Sequence, residues 1–342
     1  MSKNILILGA GAIGGCVAAN FSQANIRYLL VDPWPDLIAK VRGHGLQITM
    51  PDHEIQTPPL KAIHLHELAS SSELFDIFFL ACKANEARWL TEFIKPFMHP
   101  QSVIVGLMNG MMNQDIASIV GSERLIGCVL ELSAESFEAG HITRKTPPAK
   151  TWMCVGELNG QITPRLLEIQ ALLQHVATVD LSKNIEAAKW TKLITNVMVL
   201  APFAMLKAES YAALQLPKMR QLVLDIGIEA IAVGQALGYP IEGIFGLTVE
   251  ELGKTPKQIS EKLVSTLISH IGKKSQNAVT QDIIKKRRTE TPFLNGLVVC
   301  QGLACHIPTP ANQAIVEVIR RIELQEIAAG IENIDLAISL TM

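Results

Sequence analysis

The sequence has no basic block, no CxxC pair and no apolar run long enough to cross a bilayer. Its 342 residues carry 30 Lys and Arg against 32 Asp and Glu, a formal net charge of −2. Without a basic patch there is no electrostatic footprint for nucleic acid or for an anionic membrane surface. The cysteines are Cys16, Cys82, Cys128, Cys154, Cys300 and Cys305, and several lie in apolar runs. They read as buried thiols in a reducing, cytoplasmic setting. Stretches such as VMVLAPFAML fall short of the ~20 residues that a spanning helix needs. The N-terminus pairs a lysine with apolar residues, as a signal peptide does, but Gly9, Gly11, Gly14 and Gly15 break the run and no cleavage region follows. His64 and His66 form a close pair, with His44 and His53 nearby. None has a zinc-type spacing, so they read as surface residues and no metal is expected. No internal repeat and no low-complexity segment stands out.

Hydrophobic residues make up 49% of the chain and charged ones 18%, enough to bury a sizeable core in one large or two ordinary domains. Up to about residue 180, short apolar runs alternate with helical segments. The runs are NILIL (4–8), IRYLLVD (26–32), DIFFLAC (76–82), SVIVGL (102–107), RLIGCVL (124–130), TWMCVGEL (151–158) and VATVDL (176–181). Near-continuous apolar strands separated by helices imply a parallel sheet covered on both faces. TRKTPPAK (143–150) reads as a turn-rich connector. Beyond residue 182 amphipathic segments take over, at 184–207, 217–237, 256–286 and 311–330. The expected fold class is α/β: a doubly wound parallel sheet over 1–181, then an all-helical domain over 182–342. The broad apolar faces of 217–237 and 311–330 suit either a homodimer or that domain's own core.

The first strand runs into Gly9, Gly11 and Gly14, a GxGxxG that opens a helical pattern, and the next strand ends in Asp32. That context is the dinucleotide-binding fingerprint. Gly9 allows the tight turn, Gly11 lets the backbone approach a pyrophosphate, and Gly14 lets helix and strand pack closely. Ala12, Ile13 and Gly14 begin the helix, whose N-terminus offers N–H groups and a positive dipole end to phosphates. Asp32 stands where a carboxylate binds the ribose hydroxyls and would repel a 2′-phosphate, so NAD is favoured over NADP.

Ligands of a doubly wound sheet bind beyond the carboxyl ends of its strands. Lys83 follows one strand there and Asn109 another, in an Asn-Gly pair. On the residues alone, Lys83 also reads as an exposed loop lysine and Asn109 as a turn former. In the helical half, Lys189, Lys192 and Asn196 share one face of an otherwise apolar helix. Such a face is either solvated or turned into a cleft. In KKRRTETPFLNG, Thr291-Pro292 reads as an N-cap and first helical residue, with Glu290 just outside. The basic run 285–288 reads as a solvated face.

Taken together, GAGAIG (9–14), CKANE (82–86), MNGM (108–111), KWTKLITN (189–196) and TQDIIKKRRTETPFLNG (280–296) resemble the ketopantoate (2-dehydropantoate) reductase family, over roughly residues 1 to 320. The resemblance implies an N-terminal Rossmann domain, a C-terminal helical domain and hydride transfer from a nicotinamide to a 2-keto acid. It implies Lys192 as general acid and Glu290 as the carboxylate orienting lysine and substrate hydroxyl. Asn109 would lie between nicotinamide and substrate, Lys83 would reach toward both, and Asn196 would contact substrate. It also implies NADPH through a basic residue near the end of the second strand, where this chain has Asp32. A second substrate-contacting asparagine is replaced by Leu200, and a serine before Gln281-Asp282 by Asn277 or Ala278. The hydride-transfer set is kept and the substrate grip is altered. The readings are ketopantoate reduction or that of a close relative, an NAD-linked dehydrogenase of another 2-hydroxy acid, or a non-catalytic NAD(H) sensor.

Overall fold

The computed structural model describes residues 3–206, 214–270 and 276–342. The chain divides into two compact units, Met1–Glu186 and Ala187–Met342. In chain order the strands of the first unit are β1 (Ile5–Leu8), β2 (Leu29–Asp32), β3 (Gln47–Thr49), β4 (Glu54–Gln56), β5 (Ala62–His64), β6 (Phe75–Leu80), β7 (Met98–Gly106), β8 (Leu125–Glu131), β9 (Ala134–Glu138), β10 (His141–Arg144), β11 (Trp152–Glu157) and β12 (Thr178–Leu181).

Eight of them form one sheet in the order β12-β11-β8-β7-β6-β1-β2-β5. From β5 to β8 all pairings are parallel. Numbered by appearance in this sheet, that stretch reads 3-2-1-4-5-6, the doubly wound order whose direction reverses between β1 and β6. At the far edge β11 pairs antiparallel with β8 and parallel with β12. Every residue of β1 and β2 is buried. A strand buried on both faces needs apolar side chains on both, which is why ILIL and LLVD show no alternation.

A second sheet, β4-β3-β10-β9, goes beyond the strands expected from the sequence. Three of its strands each bury a central isoleucine, Ile48, Ile55 and Ile142. TRKTPPAK is less of a free connector than expected, because its first residues close β10. Arg144 is wholly buried there and donates to the carbonyl of Thr146 (2.7 Å), to Thr151 Oγ1 (2.8 Å) and to the carbonyl of Val176 (2.8 Å).

The second unit carries the helices Ile185–Ala204, Pro217–Ala236, Val249–Leu252, Pro256–His270, Ala278–Ile284, Asn295–Ala304, Pro310–Glu323 and Asn333–Ser339. The first of these begins within the last two residues of unit one. Residues 207 and 271–275 of the expected segments lie outside the described residues. The helix at 217–236 packs on those at 256–270, 295–304, 310–323 and 333–339. The apolar faces of 217–236 and 310–323 therefore supply the unit's own core. The last segment ends at Glu323 rather than at 330, and Gln325 adopts a left-handed φ of 61° just beyond it. Among the described residues, no helix is long and apolar enough to cross a membrane.

Candidate active site

The glycine loop meets each demand of a phosphate cradle with a different glycine. Gly9 has φ +99°, and a Cβ there would stand 2.2 Å from the carbonyl oxygen of Ala81. A Cβ on Gly14 would stand 1.8 Å from the carbonyl oxygen of Gly9, so helix and loop touch backbone to backbone. A Cβ on Gly11 would meet nothing within 4 Å. Open space thus lies where a pyrophosphate has to approach. Gly11 is also the N-cap of the helix Ala12–Gln23 and makes no side-chain cap bond. The N–H groups of Ala12, Ile13 and Gly14 have no acceptor within the helix. The residues present fit a dinucleotide's phosphates.

Asp32 ends β2 and is only 7% exposed. One carboxylate oxygen accepts the N–H of Ala10 (2.7 Å) and the other that of Trp34 (2.8 Å). The carboxylate therefore ties the glycine loop to the turn after β2, a role the sequence did not reveal. Four lone-pair sites on a carboxylate leave capacity for ribose hydroxyls as well. Arg42, on the helix that follows, forks onto Glu67 (2.6 and 2.7 Å) and donates Nε–H to the carbonyl of Ala62 (2.6 Å). His64 lies in β5, half-buried, with Nε2 2.6 Å from the carbonyl oxygen of Pro33 and Nδ1 2.7 Å from Nδ1 of His66. His64 thus closes a strand, while His66, in the helix Leu65–Ala69, is exposed, as are His44 and His53, in keeping with surface residues. Among the described residues no group of three or more His, Cys, Asp and Glu is placed to hold a metal.

Lys83 and Asn109 follow β6 and β7, neighbouring parallel strands that leave the sheet at the same edge as β1. Lys83 is half-buried and is the N-cap residue of the short turn Ala84–Glu86, its N–H donating to Glu86 (3.3 Å). Asn109 is half-buried and precedes Gly110, whose φ of 77° makes the turn. Both therefore stand at the carboxyl edge that also carries Gly9, Gly11 and Gly14.

In the second unit the polar stripe of the 185–204 helix is turned inward. Lys189 is 4% exposed, Asn196 is 6% exposed and Lys192 is half-buried. A stripe that served only solubility would be open to water. Leu200, one turn beyond Asn196 on the same stripe, is half-buried. Glu290 is 2% exposed. It is the N-cap of a single 3₁₀ turn, Thr291–Phe293, which corrects the expectation that Thr291 caps a helix at Pro292. The true helix begins at Asn295. Asn277 caps the helix Ala278–Ile284, accepting the Thr280 N–H (3.0 Å), and donates to the carbonyl of Val199 (3.3 Å). Its amide holds two helices together. The basic residues 286–288 are exposed, as a solvated face requires.

Sequence reasoning missed what covers Lys192. The segment after the 217–236 helix grips three consecutive residues of the lysine-bearing helix. Tyr239 stacks on Trp190 (5.3 Å between centroids), the Glu242 N–H donates to Thr191 Oγ1 (2.9 Å), and Phe245 presents its ring to Lys192 Nζ (4.8 Å to the centroid). Aromatic faces attract cations electrostatically, by ~0.5–1 kcal/mol when exposed and ~2 kcal/mol when desolvated. The only sequence signal was the glycine-rich run GYPIEGIFGL.

A phosphate cradle at the switch point of a doubly wound sheet and an inward-turned lysine stripe are the parts of a nicotinamide-dependent oxidoreductase, and comparison with known proteins supports that class. The model of the ketopantoate reductase PanE/ApbA family matches residues 5–159, and the model of that family's C-terminal part matches residues 184–323. The chain belongs to the ketopantoate reductase PanE/ApbA family. It is 21% identical to the 2-dehydropantoate 2-reductase of Archaeoglobus fulgidus, over 94% of this chain and 98% of that one. Among solved structures, the PanE/ApbA family ketopantoate reductase from Ralstonia eutropha JMP134 superposes with a TM-score of 0.79 at 21% identity, covering 94% of this chain and 99% of that one. A D-mandelate dehydrogenase with NADH and anilino(oxo)acetate superposes with a TM-score of 0.80 at 20% identity, with the same coverage.

Proposed function

We propose that the protein reduces a 2-keto acid, ketopantoate or a close relative, to the corresponding 2-hydroxy acid, with NADH preferred over NADPH. The observation that carries this reading is the inward stripe of Lys192 and Asn196 on an apolar helix. The nicotinamide, when bound, supplies the hydride that arrives at the keto carbon. Lys192 acts at the oxygen: its Nζ–H bond breaks as the new O–H bond forms, and the ammonium charge stabilises the alkoxide as it develops. Asn196, one turn on, contacts the bound acid. Glu290 is the buried carboxylate that orients lysine and substrate. Asn109 and Lys83 contact the nicotinamide and the substrate, the roles that the family's pattern implies for them. Leu200 favours a relative of ketopantoate that lacks a polar group at that point, because an apolar side chain cannot replace an amide's hydrogen bonds.

The preference for NADH rests on Asp32. Its buried charge repels a 2′-phosphate, and Arg42, engaged with Glu67, is not offered to one. Asp32→Asn removes the charge and keeps one of the two acceptors that hold the N–H groups of Ala10 and Trp34, a loss that weighs on both nucleotides and leaves their ratio to report the charge. We expect the ratio of kcat/KM for NADPH to that for NADH to rise at least ~10-fold, equivalent to ~1.4 kcal/mol. Initial rates with both nucleotides measure it, and an unchanged ratio would remove Asp32 as the determinant.

A further inference from the structure

We propose that Phe245 is a specificity-determining residue that forms an aromatic wall for the keto acid's side chain, selecting substrates with an aryl or bulky apolar group on the carbonyl carbon. This rests on the reading of Lys192 as general acid. A general acid stands ~2.6–3.2 Å from the oxygen it protonates. The Phe245 ring centroid stands 4.8 Å from the same nitrogen. An oxygen held on the ring-facing side of that nitrogen brings the group on its carbonyl carbon within contact range of the ring, and this is the binding mode the proposal assigns.

The local backbone singles out this ring. Ile244 and Leu247 exchange both backbone hydrogen bonds (3.1 and 2.9 Å), closing a two-residue hairpin with Phe245 and Gly246 at its tip. Both tip residues have positive φ, 55° and 74°. Such tips favour Asn and Gly, and a bulky aromatic residue there is strained. Buried Ile244 anchors the hairpin, and the Glu242 bond to Thr191 fixes it one residue from the lysine. The strain is held in place by the surrounding contacts and aims the ring at the ammonium.

The test compares phenylglyoxylate with pyruvate at saturating NADH, for the native protein and for Phe245→Asn, which accepts the left-handed conformation readily. The native protein is expected to favour phenylglyoxylate by at least ~10-fold in kcat/KM, and the variant to bring the ratio of the two values to within about threefold of one, a pocket effect of ordinary size read as a ratio because loss of the ring's contact with Lys192 weighs on both substrates. An equal loss on both substrates, or no preference in the native protein, overturns the proposal while leaving the reductase reading intact. Silence of the native protein with these two and with ketopantoate instead overturns the reductase reading, and the proposal with it. If Phe245→Asn does not fold, Phe245→Leu, which keeps apolar bulk and loses the ring face, decides by the same ratio.

Discussion

Lys192→Met is expected to bind NADH as tightly as the native protein and to lose at least ~100-fold in kcat, the usual cost of removing a general acid. Methionine keeps an unbranched apolar stem under the Phe245 ring and deletes only the proton donor and its charge. The loss should fall on kcat more than on the KM for the keto acid, because the lysine's largest contribution comes as negative charge builds on oxygen. NADH affinity should hold because the cradle belongs to Gly9, Gly11 and Gly14 in the other unit. Stopped-flow or steady-state rates, with a fluorescence titration of NADH, separate the two quantities. A variant with native kcat would end the assignment of Lys192.

Gly14→Ala is expected to be nearly as damaging, for a different reason. The added Cβ would lie 1.8 Å from the Gly9 carbonyl oxygen and 2.9 Å from Ala81 Cβ. Gly9 cannot yield easily, since its left-handed backbone is itself wedged against Ala81. The loop must be pushed out, at a cost of roughly 1–3 kcal/mol or more, with a melting temperature lower by ~2–4 °C for each kcal/mol in a unit of the size of Met1–Glu186. NADH affinity should fall at least ~100-fold. Gly11→Ala is the control, because its Cβ meets only open space. It should melt like the native protein and still weaken NADH binding, since that space is where the phosphates go. Native affinity in both variants would contradict the cradle.

Strands β1, β2, β6, β8 and β11 were legible because they are buried on both faces and so read as nearly unbroken apolar runs. The short strands β3, β4 and β5 were not, because QIT, EIQ and AIH each offer too few residues to show a period. The helix Asn295–Ala304 hid behind two glycines and a Val-Val pair, all weak helix formers, and forms within a packed unit. Thr291-Pro292 looked like a cap and first helical residue because Pro fits either an α-helix or a 3₁₀ turn. Within the site, the glycines and the Lys192–Asn196 spacing were visible as local patterns. Phe245 was not, because its pairing with a lysine more than fifty positions away depends on a left-handed tip that no propensity assigns to phenylalanine. The second role of Asp32, holding Ala10 and Trp34, was hidden because a backbone N–H partner leaves no mark on side-chain identity.

The most direct test is the initial rate of NADH and NADPH oxidation with ketopantoate, phenylglyoxylate and pyruvate, with the organic product identified. The account predicts that NADH is consumed one for one with a 2-hydroxy acid from at least one of these substrates, faster than NADPH at equal concentration. A protein that binds NADH and reduces none of them would be a nucleotide-binding protein without this chemistry, and the role given to Lys192 would be wrong.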